Sequence, residues 1–124
     1  MTVVADSTVI FHFNRYNTKM LKIIKDQGVT ELWITRISYI ELLSGASENA
    51  KVNVRKILHA YPILEFDKKA CNVANTLAMK YRIGAKNSKD FLIACIAIAN
   101  KLPLVTENIK DFNYTELNLL PYKI

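Results

Sequence analysis

Asp6, Glu41, Asp90 and Asp111 are the residues of this 124-residue chain whose types and spacing could do chemistry. They stand in the stretches VVADSTVIF, SYIELLSGA, SKDFLIACIAIAN and LVTENIKDF. Asp6 closes an apolar strand-like run, Asp111 follows another, and Glu41 and Asp90 belong to helix-like runs. A parallel α/β sheet would gather all four, because ligands in such sheets bind beyond the carboxyl ends of the strands. Gathered carboxylates repel strongly unless a cation lies between them, so the pattern points to a hard divalent ion, Mg²⁺ or Mn²⁺. Sites of that kind cut or move phosphate esters.

The elements that must position these acids follow from hydrophobic periodicity and turn residues. Val3–Ala5 reads as a short buried strand, followed by helical segments over 8–14 and 18–26, which Gly28 ends. Leu32–Thr35 is a second strand. Ser38 is expected to cap a helix with Glu41 three residues on, the spacing of a capping box, and Gly45 to end it. Further helices are expected over 48–60, from a cap at Asp67 to about Arg82, and from a cap at Ser88 through Ile98. The last is apolar almost all round and should be central. Strands at 63–66, 103–106 and 119–121 and a helical turn at 109–112 complete the pattern. Strands alternating with helices mean a single α/β/α domain over residues 1–124, with a mostly parallel sheet of about five strands. At the start of its helix, Asp90 is expected to be kept ionised by the backbone N–H groups and the helix dipole.

Composition narrows the class. A hydrophobic fraction of 51% supports a packed core, and no apolar run reaches the roughly 20 residues of a membrane span. The N-terminal ADSTVIF is short and acidic for a signal peptide, so a cytoplasmic location is expected. Cys71 and Cys95 lie among apolar residues at helical spacing and read as buried reduced thiols, and the isolated His12 and His59 as structural histidines. The balance of 17 basic to 11 acidic residues gives +6. With four acids drawn into one pocket, the remaining surface is more basic still, which suits a polyanionic partner such as nucleic acid. Arg82, Lys86 and Lys89, close before Asp90, are the candidates for gripping a nucleic-acid backbone; their ordinary reading is a solvated helix end. Tyr16, Met20, Trp33, Tyr39, Leu42 and Leu43 supply more large apolar groups than a core of this half of the chain needs, and the surplus could form a partner groove.

Each acid alone has an ordinary explanation: Asp90 as a first-turn helix residue, Asp111 as a turn residue, Glu41 as a capping partner. Asp6 is harder to explain, since it places a charge at a core edge. Together, the stretches VVADSTVIFHF, ITRISYIELLSGA, SKDFLIACIAIANKLPLVTENIKDF and LNLLPY resemble the PIN-domain family, and within it the VapC-type toxins of toxin–antitoxin pairs. The third stretch is the most specific, with an Asp opening an Ala/Ile-rich helix, then Asn-x-x-Pro-Leu-Val-Thr and Asn-x-x-Asp-Phe.

The resemblance implies a doubly wound domain with Mg²⁺-dependent endoribonuclease activity. Its metal-binding acids would be Asp6, Glu41, Asp90 and Asp111, and Thr106 would offer a hydroxyl to water or substrate at the metal. It also implies a small cognate antitoxin laid over the acidic pocket, and a homodimer or a heterotetramer or hetero-octamer with that antitoxin. Thr8 departs from the Asn or Ser usual two residues after the first Asp, which puts its part in orienting Asp6 in question; Asn108 and Glu107 lie near the fourth acid, with Glu107 a candidate for an additional or alternative ligand. Two other readings stand beside this one. Asp6-Ser-Thr-Val is similar to the start of haloacid-dehalogenase-like phosphatases, which need a second Asp at position 8, and a receiver domain needs an acidic pair that Asp6 alone does not supply. The other is a non-catalytic module that has kept the fold.

Overall fold

Val3 and Ala5 face one side of the sheet and Val4 the other, and all three are fully buried. A strand covered on both faces is central in its sheet, and the apolar run around it reads accordingly. In the computed structural model, which describes residues 1–10, 22 and 24–121, this strand is β1 (Thr2–Ala5). It pairs in parallel with β2 (Glu31–Thr35) on one side and β4 (Leu104–Thr106) on the other. β3 (Ile63–Leu64) and β5 (Leu119–Pro121) extend the sheet, in the order β3-β2-β1-β4-β5, all parallel.

Among the described residues, four helices lie between β2 and β4: α1 (Arg36–Gly45), α2 (Lys51–Leu58), α3 (Lys68–Lys80) and α4 (Ser88–Ala99). On the face of Val3, Ala5 and Ile34, the core includes Val9, Ile10, Ile24 and Leu58, with Tyr39, Leu42, Leu43 and Val54 packed against it. On the face of Val4 and Leu104, it includes Ala70 of α3, Ile93, Ala94, Ile96 and Ala97 of α4, and Phe112. This is the expected three-layer α/β/α arrangement, with the apolar α4 deeply buried as its composition predicts.

Local chemistry explains most boundaries. Asp67 caps α3 by accepting from Ala70 N at 3.0 Å. At Gly28 the backbone takes φ +79°, with Val29 N bonded to Ile24 O and Gly28 N to Lys25 O. That is a Schellman ending, which favours glycine at the left-handed position, and Ile24 and Val29 are both buried in one core cluster.

Two expected caps are corrected. Thr35, not Ser38, caps α1, accepting from Ser38 N at 3.1 Å, so the helix starts earlier than the Ser38–Glu41 spacing suggests and no capping box forms. Asn87, not Ser88, holds the cap position of α4, and Ser88 Oγ donates instead to Ala85 O at 2.9 Å. Residues 7–10 and 24–26 are helical as expected. The remainder of those two early helices, with His12, Tyr16 and Met20, lies outside the described residues. Tyr39, Leu42 and Leu43 pack on the first core cluster and Trp33 on the second. His59 shares a hydrogen bond with the Tyr39 hydroxyl at 3.1 Å, and Cys71 and Cys95 are free thiols, Cys95 buried and Cys71 half-buried.

Candidate active site

The chain leaves β1, builds β2 and β3 to one side, then crosses to build β4 and β5 on the other. The strand order therefore reverses between β1 and β4, and the crevice beyond their carboxyl ends is where such a sheet binds ligands. Asp6 sits there. Its amide bonds to Val105 O at 3.0 Å, extending the ladder, and its side chain is 4% exposed.

The Asp6 carboxylate is held on both oxygens. Oδ1 accepts from Ser7 N at 2.6 Å, and Oδ2 accepts from Thr106 Oγ1 at 2.8 Å and Thr8 Oγ1 at 3.2 Å. Burial pushes its pKa above the ordinary value, the three donors pull it back, and the Glu41 charge adds to the rise. Thr8 thus helps to orient Asp6, although it is neither Asn nor Ser. Thr106 is fully buried at the end of β4, gives its proton to Asp6 and accepts from Asn108 N at 3.0 Å.

Glu41 lies one turn along α1 from the fully buried Ser38. Ser7 Oγ donates to Glu41 Oε1 and lies 3.0 Å from Ser38 Oγ, which lies 3.3 Å from Thr35 Oγ1. Each hydroxyl has one proton, so the Ser7 donation to Glu41 leaves it to accept from Ser38, and Ser38 from Thr35. A buried row of hydroxyls therefore ends on the carboxylate. On the other oxygen, Oε2, Lys89 Nζ stands at 3.1 Å.

Asp90 lies in the first turn of α4, and Asp111 ends a short helical turn, Ile109–Asp111, with its amide bonded to Asn108 O at 3.0 Å. The Asp90 pKa is pushed up to about 6, first by burial and then by the charges of Asp6, Asp111 and Glu41, while Lys89 opposes the rise. This reverses the expected effect of the helix start. A dipole worth about 0.3–1 kcal/mol loses to desolvation and three like charges. Asp90 thus feels the charges of the other three acids, and Asp6 that of Glu41. Arg82 and Lys86 are exposed and make no hydrogen bond or ion pair among the described residues.

The model of the PIN domain matches residues 3–116. The chain belongs to the PIN-domain family. A search of curated protein sequences finds no significant match. Among solved structures, the fold is shared with VapBC2 from Rickettsia felis bound to a DNA fragment from their promoter. That chain is 22% identical, with TM-score 0.77, over 99% of this chain and 100% of that one. VapBC-1 from nontypeable Haemophilus influenzae matches at 22% identity and TM-score 0.75, over 98% of both chains. FitAcB from Neisseria gonorrhoeae matches at 18% and 0.68, over 97% of this chain and 96% of that one. At these identities the likeness is one of fold.

Within this PIN domain, the donor set suits a hard divalent cation, since every candidate ligand is a carboxylate oxygen. The repulsion that Asp6, Asp111 and Glu41 exert on Asp90 is what such a cation would relieve. The carboxylates of Asp90 and Asp111 accept no hydrogen bond from the described residues and remain available as ligands. Among the described residues, however, no three acidic, histidine or cysteine side chains stand close enough to hold an ion as they are placed. The charges of Asp6, Glu41 and Asp111 reach Asp90 without the side chains closing on one point, an arrangement that fits an ion which keeps part of its water shell.

The hydroxyls of Ser7, Ser38 and Thr35 are the site residues that sequence reasoning missed. One signal was present: Ser38 and Glu41 are three apart on one helix face, and Ser7 adjoins Asp6.

Proposed function

We propose that this PIN domain is a metal-dependent endoribonuclease, the toxin of a VapBC-type toxin–antitoxin pair. The observation that carries the reading is the match of residues 3–116 to the PIN domain together with an Asp6 carboxylate fixed on both oxygens at the reversal point of the sheet; the repulsion that Asp6, Asp111 and Glu41 exert on Asp90 accords with it. No structural need of the fold explains that repulsion. The complexes whose fold the chain shares are toxin–antitoxin assemblies, which supports an antitoxin as partner; a homodimer, or a heterotetramer or hetero-octamer with that antitoxin, belongs to the same proposal. The charge of +6 and the exposed Arg82, Lys86 and Lys89 support RNA as the polyanion.

Asp6, Asp90 and Asp111, with Glu41 directly or through water, would hold Mg²⁺ or Mn²⁺. Such an ion, when bound, lowers the pKa of its water and offsets charge on the phosphate under attack. The chain's residues prepare the place. Thr106, Thr8 and the Ser7 amide fix Asp6 in one orientation, and Ser7 Oγ fixes Glu41. Asp90, with its pKa at about 6, would give up its proton on serving as a ligand. The buried Cys95 thiol is pushed up to about 11, so it does not compete as a nucleophile.

Purified chain incubated with total cellular RNA in Mg²⁺ is expected to yield discrete fragments that EDTA abolishes. Asp90→Asn should lower the rate by roughly 100-fold or more while circular dichroism stays that of the parent. No cleavage by a folded sample with metal demonstrably bound would replace this reading with a binding module.

A further inference from the structure

The carboxylate of Glu41 is gripped on both oxygens by groups of opposite character. Ser7, buried, holds Oε1; Lys89, with 64% of its side chain exposed, holds Oε2 from 3.1 Å. The serine is fixed by its place after β1. The lysine sits at the end of a flexible four-carbon stem and can leave without disturbing any packing.

Its position argues against a role in stability. Lys89 stands in the first turn of α4, where the helix dipole is positive and a cation is disfavoured. It also adjoins Asp90, which responds to its charge. A residue that costs the helix something and faces a carboxylate cluster is placed for the cluster. A divalent ion and an ammonium group cannot share Glu41 Oε2 without strong repulsion, so only one of them occupies it at a time.

We propose that Lys89 is the site's own counter-ion: paired with Glu41 in the cation-free chain, it moves when a divalent cation binds and then contacts a phosphate of the RNA strand. This rests on the nuclease reading for the identity of the strand, and gives Lys89 two stations, one on Glu41 and one on the strand. The exchange keeps one cation beside Glu41 in either state. It also ties the grip on RNA to occupancy of the metal site.

The test uses the full chain and its Lys89→Gln variant, an exposed substitution whose folding circular dichroism checks. Mn²⁺ binding, followed by electron paramagnetic resonance without RNA, should tighten about two- to five-fold in the variant, the equivalent of a lost exposed ion pair. Binding of a fluorescein-labelled, mixed-sequence 20-nucleotide 2′-O-methyl RNA is then followed by anisotropy. With saturating Mn²⁺, Lys89→Gln should weaken it roughly three- to ten-fold and lower the salt slope by about 0.7, one phosphate contact on a single strand. Without Mn²⁺ the loss should stay below about two-fold, because the lysine is engaged on Glu41.

Unchanged or weaker Mn²⁺ binding in the variant would overturn the competition. An RNA loss that is equal with and without Mn²⁺, or absent in both, would overturn the second station. None of these readouts is cleavage. A wild-type chain that cuts no RNA yet shows both shifts would sink the nuclease reading and leave the exchange standing.

Discussion

Ser7 touches two of the four acids at once, giving its amide to Asp6 and its hydroxyl to Glu41. Groups of this kind set the aim of metal ligands, and their loss commonly costs 10–100-fold in affinity. Ser7→Ala is therefore expected to weaken Mn²⁺ binding by about ten-fold, because the carboxylate of Glu41 is left to the mobile Lys89. The stability cost should be only about 1 kcal/mol, since Ser38 keeps Thr35 as a partner. Titration with Mn²⁺ and thermal melting of the same samples separate the two effects. A lower melting temperature with unaltered Mn²⁺ affinity would reduce Ser7 to a packing role. The acids themselves were legible in the sequence because a charge closing a Val-Val-Ala strand has few ordinary explanations. Ser7 was not, because a serine after a strand is common and its partner lies 34 residues away. The ionisation of Asp90 was misjudged for the same reason: its local setting favours the charge, and its three distant neighbours oppose it.

At the scale of the element, α4 was the easiest to see and its start the easiest to misplace. Nine apolar residues in succession after Asp90 leave no alternative to a central helix. The cap depends on which residue the preceding turn, Ala85–Asn87, delivers to the end of the helix. Likewise Thr35 ends β2 and caps α1 at once, a double use that spacing does not reveal. The same helix start carries an argument about charge. Lys86 in the preceding turn and Lys89 in the first turn both lie at the positive end of the dipole. Lys86→Gln should accordingly raise the melting temperature by about 1–4 °C at low salt, and the gain should shrink at 0.5 M NaCl as screening removes it. The same variant should bind RNA more weakly. A destabilised variant, or one indifferent to salt, would show that Lys86 makes a favourable contact here instead.

For the molecule as a whole, the sheet order decides what the four acids can do together. Alternating strands and helices were readable as a parallel sheet, but the order β3-β2-β1-β4-β5 arises from long-range pairing that no local pattern encodes. A broad concavity lined by Gly28, Thr30, Glu31 and Pro62 opens at the amino ends of the strands, away from the acids. The clustering at the carboxyl ends leaves a global signature in pH. Asp90 has its folded pKa raised to about 6, and Asp6 is raised as well, both led by burial. A raised carboxyl stabilises the fold below its ordinary value of 3.8 and loses that contribution as pH climbs through its folded value. Glu116 works in the opposite sense, held down to about 2 by Lys80, but it is exposed and its contribution builds up to its ordinary value of 4.5 and is nearly complete by pH 5. Between pH 5 and 7.5 the carboxylate cluster therefore dominates. The metal-free chain should melt a few degrees lower, on the order of 5 °C, at pH 7.5 than at pH 5. Mn²⁺ should restore the loss at pH 7.5 and do little at pH 5, where protons already neutralise part of the cluster. Asp90→Asn should flatten both dependences, because it removes the group on which the repulsion converges. Melting curves that rise with pH, or that respond to Mn²⁺ equally at both values, would show that the four acids do not share one field.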